Sequence, residues 1–288
     1  MLQEKAMLVK LSIGVWNAEK KDKTITKEIA ATHNSDETMG IYKKHLIIKD
    51  ALKTIVNIAT EARILNYNYT LPWIDGGTRM LPVSTFFKYR EEIEKLKTDF
   101  QAAVNNFISD YDLIVKESEI KLGDMFDISN YPSKDDLQQK YYFTIQIFPV
   151  PSGDDFRVNL SVEETDKIKK SLEENLNEVL NNAIKDVWER LYKVVERFTE
   201  TLPKYNPNEK GKDKNSFHNS IVTNTIELCE LLPKLNITGN KELSKLTKEV
   251  EEKLTKYTAK ELKEDEAVRK EITNKATEIL DAIKPFIN

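Results

Sequence analysis

Apolar residues at Ile168, Leu172, Leu176, Val179, Ala183, Val187, Leu191, Val194, Phe198 and Leu202 recur every three or four positions. That repeat lays one continuous stripe down an α-helix. Ser161, followed three residues later by Glu164, reads as a capping box at its start, and Pro203 ends it by having no N–H to donate. A helix over 161–202 is about 60 Å long at 1.5 Å per residue, so its stripe needs a partner of similar reach. A second run provides one: Phe86, Tyr89, Ile93, Leu96, Phe100, Ala103, Phe107, Tyr111 and Ile114 predict a helix that opens at Ser84 as N-cap, spans about 85–122 and closes at Gly123. Two long antiparallel helices packed as a stalk are therefore expected.

Period-two patterning appears in three places. Met7, Val9, Leu11, Ile13 and Val15 alternate with polar or small residues over 7–16. Phe143, Ile145 and Ile147 do so over 141–150, and Phe156, Val158 and Leu160 over 155–160, with Pro151-Ser152-Gly153-Asp154 as the turn between the last two. A hairpin alone is marginal in water, so the first strand is expected to join it in a small sheet. Shorter helices are predicted over 24–32, 49–65 and 133–140. Tyr69–Pro82 is irregular: Gly76-Gly77 follow Asp75 between Pro72 and Pro82, which reads as a tight turn joining two short extended arms that carry Trp73 and Arg79. The stretch 203–215, KYNPNEKGKDKN after Pro203, has almost nothing to bury and reads as a linker. Beyond it three helices are predicted: one stopped at Pro233, one through Leu243, Leu246, Val250 and Leu254, and one through Val268, Ile272, Ala276, Ile279 and Ile283. Thr258 and Glu261 form a capping box between the last two. The fold class is mainly α with a small α+β head. The predicted organisation is stalk and head over 1–202, a linker at 203–215 and a C-terminal helical bundle over 216–288.

Composition agrees with long solvated helices: 32% of the residues are charged and 40% hydrophobic, with eight Gly and nine Pro among 288. The net charge of −4 conceals a gradient, +3 over 1–65, −8 over 66–200 and +1 over 201–288. The chain as a whole therefore has no pull toward nucleic acid or an anionic surface, although a local basic patch near its start remains open. A single cysteine, Cys229, excludes an internal disulfide and suits a reducing compartment. No run is apolar for long enough to cross a membrane, so a soluble protein of the host bacterial cytoplasm is expected.

Candidate chemistry is sparse. His33, His45 and His218 are not paired with one another or with Cys229 at metal-ligand spacing, and no G-x-x-x-x-G-K, G-x-S-x-G or H-E-x-x-H run is present. Asp124, Asp127, Asp135, Asp136, Asp154 and Asp155 crowd the head, but they fall in helix first turns and loops, where carboxylates are locally favoured. No cofactor, metal or catalytic residue is expected. One place interleaves an aromatic with basic residues as a nucleic-acid stacking platform does: Trp16 with Lys20, Lys21, Lys23 and Lys27, extended by Lys43, Lys44, Trp73 and Arg79.

Taken together, LSIGVWNAEKKDKTITKEIA, IIKDALKTIVNIATEARILNYNYTLPWIDGGTRMLP, FPVPSGDDFRV and DVWERLYKVV resemble an uncharacterised family of bacteriophage and prophage proteins, over about residues 8–203. Some relatives are encoded near MoxR-type AAA ATPases and von Willebrand A-domain proteins. The resemblance implies a phage setting and membership of a multi-protein assembly, with an AAA ATPase or a host protein as partner; it carries no catalytic residues. Two functions are weighed. One is a non-enzymatic scaffold that binds protein partners and further copies of itself. The other is a single-stranded nucleic-acid binder of phage replication or recombination.

Overall fold

The computed structural model describes residues 2–74, 76–152, 161–206 and 217–287. Along the chain run α1 (Leu2–Lys5), β1 (Ala6–Gly14), β2 (Glu19–Lys21), α2 (Lys23–Thr32), β3 (Lys43–His45), α3 (Asp50–Tyr69), β4 (Leu71–Pro72), β5 (Thr78–Pro82) and α4 (Phe86–Leu122). They are followed by α5 (Lys134–Gln138), β6 (Tyr142–Pro149), α6 (Val162–Thr201), α7 (Ser220–Leu235), α8 (Lys241–Leu254), α9 (Ala259–Glu264) and α10 (Glu266–Ile283). The protein is mainly α-helical with a small β part, as its patterning predicts. Among the described residues one sheet has the order β4-β5-β1-β6 and another pairs β2 with β3. The predicted strand at 155–160 lies outside the described residues. No described helix is long and apolar enough to cross a membrane.

The chain divides into two compact units. The first comprises Met1–Val9, Tyr67–Phe87 and Ile147–Asn288, and the second Lys10–Asn66 and Lys88–Gln146.

In the first unit α6 packs against α7 and α10, and α8 against α7 and α10. The shared core includes Val179, Ala183, Val187, Trp188, Leu191, Val195 and Phe198 of α6, with Leu243, Leu246, Val250 and Leu254 of α8 and Ile272, Ala276, Ile279 and Ile283 of α10. Phe286 stacks on Trp188 with ring centroids 4.3 Å apart and planes inclined by 5°, closing the C-terminal end of this core. From Val162 to Glu178 no residue of α6 is buried; Ile168, Leu172 and Leu176 are half covered.

In the second unit Leu52, Ile55 and Ala59 of α3 share one core with Phe100, Val104, Phe107 and Tyr111 of α4, with Leu137 and Tyr141 in the same core. Phe100, Phe107 and Tyr111 of α4 are thus core packing, as their spacing requires, while Phe87 is 80% exposed.

Both long helices form where their stripes predict, but the stripes are covered otherwise than by the expected stalk. The buried face of α4 shares its core with α3, and that of α6 shares its core with the C-terminal helices. The reason is supply: α10 and α7 pack on α6 and bring buried apolar residues to the C-terminal half of its stripe. The expected boundary at 203–215 accordingly differs from the observed division, since α6 and the helices after 216 contribute to one core.

Local signals fare unevenly. Ser161 caps α6 by accepting from the Glu164 N–H, Ser133 caps α5, and Thr258 with Glu261 makes a full capping box. Gly123, at φ +52°, follows α4 in the left-handed conformation that glycine adopts most readily. Ser84 is not the N-cap of α4. A 3-10 turn over Val83–Thr85 precedes that helix, and the Ser84 hydroxyl donates to Lys234 O at 2.8 Å. Pro233 does not stop α7, which ends at Leu235; a proline this near the C-terminus removes one hydrogen bond and leaves the earlier turns intact.

Gly14, at the end of β1, lies under the Tyr142 ring of β6. A Cβ there would fall 2.2–2.8 Å from three ring atoms, well inside van der Waals contact. Gly14→Ala is expected to lower stability by about 1–2 kcal/mol in urea melts, because the ring must leave or the strands part. The penalty should shrink when Tyr142→Ala is added; unchanged stability of the single variant would show that the ring moves aside at no cost.

Candidate functional site

After Gly14 the chain leaves β1 and turns over the core of the second unit. Val15-Trp16-Asn17 lead to Ala18, which adopts φ 51°, a left-handed conformation that costs a residue with a Cβ about 1–2 kcal/mol. The turn is held because Leu46 N–H donates to Ala18 O at 2.7 Å, and because β2 then pairs antiparallel with β3. Trp16 is driven inward, 8% exposed, with its ring 6.5 Å from Phe107 and 6.1 Å from Tyr111. Leu46 and Ile47, both buried, carry the chain from β3 to the start of α3.

Between this turn and the first two turns of α3 lies a cleft of about 500 Å³, within the range of about 300–1,000 Å³ usual for ligand sites. Its apolar lining is Val15, Trp16, Ile47, Ile48, Leu52 and Val56, and its polar lining includes Asn17, Glu19, His45, Lys49, Asp50, Lys53 and Asn57. Glu19 is engaged on both carboxylate oxygens, by His45 Nδ1 and Lys43 Nζ, each at 3.6 Å. Lys49 and Lys53 are exposed, and among the described residues neither pairs with a carboxylate. Chemically the arrangement sets an apolar floor beside charges that stand only at its edge.

The residues singled out from the sequence separate. Trp16 is no stacking platform, because its ring is core; the strand predicted over 7–16 ends at Gly14. Lys20, Lys21, Lys23 and Lys27 are exposed. Register sets Lys20 opposite Lys44 and Lys21 opposite Lys43, while Lys23 and Lys27 belong to α2 and Lys44 is buried against Asp22. Part of this lysine charge is matched: Lys43 by Glu19, and Lys27 by Glu37 at 3.8 Å.

Trp73 and Arg79 belong to the other unit. Trp73 is half-buried against the first core. Arg79 donates to Thr70 Oγ1 at 2.6 Å and Thr70 O at 3.1 Å, and stands 4.9 Å from the Tyr67 ring centroid. Arg190 of α6 stands 4.3 Å from the same ring, donates to Asn68 O at 2.9 Å and Thr70 O at 2.7 Å, and pairs with Asp186 at 2.7 Å. Burial, with Arg190 close by, pulls the Arg79 guanidinium below its ordinary pKa. Arg79 therefore helps to close the end of α3, where helix carbonyls need donors, and is not a free surface cation. Sequence reasoning missed Arg190, Lys49, Lys53 and Val56. Arg190 does carry a signal, a cation three residues after Val187 and one before Leu191 on a buried stripe.

The head carboxylates are used locally. Asp127 accepts from Ser129 N–H at 2.9 Å, Asp136 accepts from the Ser133 hydroxyl at 2.6 Å, and Asp135 sits in the first turn of α5; Asp154 and Asp155 lie outside the described residues. Among the described residues no three His, Cys, Asp or Glu side chains gather as a metal site would. Cys229 is buried on α7, and burial pushes its thiol up to about 12.

A family of proteins of unknown function, DUF3150, matches residues 3–207, and the chain belongs to it. No curated protein and no solved structure matches the chain.

The ribbon beside the cleft is pinned by one buried pair. Lys44, 7% exposed, extends its Nζ to Asp22 Oδ2 at 3.2 Å and donates to Met125 O at 2.6 Å. Asp22 also accepts from Ile25 N–H at 3.1 Å, capping α2; that bond first, and Lys44 second, hold its carboxyl below the ordinary 3.8. A folded pKa below the unfolded one gives stability that is complete above 3.8 and is lost as pH falls through the folded value. Urea melts of the protein and of Asp22→Asn should therefore differ by a constant amount well above pH 3.8 and converge below it. A pH-independent gap would show that the carboxylate charge contributes nothing.

Proposed function

We propose, from the premise of membership in this family, that the protein is a non-enzymatic interaction protein that receives a segment of a partner protein in the cleft of its second unit. The observation that carries this reading is the cleft itself: an apolar floor beside a turn held in a strained conformation at Ala18. A strained residue persists only where its surroundings over-determine it, and here it keeps Trp16 as floor and leaves Val56, 43% exposed, at the edge. Self-association is a second use of the same kind of surface. Leu113 and Ile120, 61% and 83% exposed, stand two turns apart on α4, where apolar area gains from a further copy. The setting proposed for these contacts is the host bacterial cytoplasm, as part of a phage or prophage assembly with an AAA ATPase or a host protein as partner; the sequence resemblance is its support.

One observation favours a second reading, single-stranded nucleic-acid binding. Lys20, Lys21 and Lys23 are exposed beside the ribbon, and among the described residues none of them pairs with a carboxylate. With Trp16 buried, that surface offers charge without the stacking that such binders combine with it.

Fluorescence anisotropy with labelled hexapeptides tests the first reading. Peptides with a central pair of leucines should bind with submillimolar Kd, while counterparts with serines in their place should not. Val56→Arg should abolish binding without altering the thermal melt. Equal behaviour of the leucine and serine peptides, or indifference to Val56→Arg, would contradict it. A labelled oligonucleotide bound tightly at low salt, and released by Lys20→Glu with Lys21→Glu, would establish the second reading instead.

A further inference from the structure

The charges around the cleft are not balanced, and the imbalance identifies a partner chemistry. On the ribbon side Glu19 already contacts His45 and Lys43, so its charge is spent within the protein. On the helix side Lys49 stands immediately before α3 and Lys53 one turn further on, both exposed and, among the described residues, both without a carboxylate partner. Asp50, between them in the first turn of α3, is the one acidic lining residue on that side, and it also faces the positive end of the helix dipole. The helix side of the cleft thus carries two ammonium groups against one carboxylate, beside a floor made by Trp16, Ile47 and Leu52.

We infer that the cleft selects an acidic peptide segment of a partner protein, one in which a large apolar side chain is flanked by Asp or Glu. The apolar side chain covers the floor, and the flanking carboxylates meet Lys49 and Lys53. Basic segments are disfavoured by the same two lysines, so selection comes from repulsion as well as attraction. This inference rests on the cleft being a docking site, as proposed above, and adds the charge of what docks.

The test uses the full chain and three acetylated, amidated peptides that share a central Leu-Leu, flanked by Glu and Asp, by Gln and Asn, or by Lys. The acidic peptide should bind about tenfold more tightly than the neutral one and weaken between about 50 and 200 mM salt, whereas the basic one should bind least. The double reversal Lys49→Glu with Lys53→Glu should invert the order, and Lys49→Gln with Lys53→Gln should make all three alike. Since all four substitutions are at exposed positions, an unchanged thermal melt verifies that the fold is kept. If all three peptides bind equally and Val56→Arg blocks each, the acidic preference is overturned while docking in the cleft stands. If none binds, both fall. Displacement of the acidic peptide by a short oligothymidylate at lower concentration would give the lysines to nucleic acid and overturn the inference.

Discussion

The inward packing of Trp16 is the constraint on which the second unit depends. A ring of this size, placed two residues beyond the last residue of a strand, either stands in solvent or finds a pocket, and here Phe107 and Tyr111 of α4 supply one at centroid distances of 6.5 and 6.1 Å. Burying it removes about 150–250 Å² from water, a gain larger than the cost of holding Ala18 in a left-handed conformation just after it. From that choice follow the direction of β2, its pairing with β3, the burial of Lys44 against Asp22 and the open cleft beside the first turns of α3. The aromatic that looked like a reader of bases is a floor.

In the first unit buried cations stand beside the apolar core. Arg190 and Arg79 share the Tyr67 ring and give their N–H groups to the carbonyls of Asn68 and Thr70, at and just beyond the end of α3. Arg269 repeats the device at the end of α9, donating to Leu262 O and Lys263 O at 3.1 and 2.9 Å with Tyr205 5.4 Å from its guanidinium. In each case a guanidinium satisfies carbonyls that a helix cannot satisfy for itself, and an aromatic face covers it. Asp186 compensates only part of the charge in the first cluster, so removing that carboxylate would leave two close guanidiniums facing each other with little to offset them.

Long-period signals were legible in the sequence. Both long helices, the strands at Ala6–Gly14 and Tyr142–Pro149, and the short arms of Leu71–Pro72 and Thr78–Pro82 all lie where apolar spacing and turn residues put them. What covers each stripe was not legible. The stripe of α6 has the length of the stripe of α4, and equal length suggested pairing, yet α7 and α10 cover its C-terminal half and its first turns stay unburied. The candidate site was legible only in pieces: the lysines of the ribbon were found, but Lys49, Lys53 and Val56 line a cleft whose walls are brought together by Trp16 and Ala18. No spacing rule reports a left-handed alanine. Pro233 and Ser84 misled for a related reason, since a terminal signal states a preference that tertiary packing outweighs by about 1 kcal/mol or more.

Fluorine NMR of protein labelled with 5-fluorotryptophan tests the central claim directly. The three tryptophans, Trp16, Trp73 and Trp188, give one resonance each, and only Trp16 lines the cleft. Addition of an acidic, leucine-bearing peptide should shift the Trp16 resonance saturably and leave that of Trp188, buried in the other core, in place. A Trp16 resonance that stays fixed while the peptide binds, or that moves no more than Trp188, would contradict a docking cleft built on this ring.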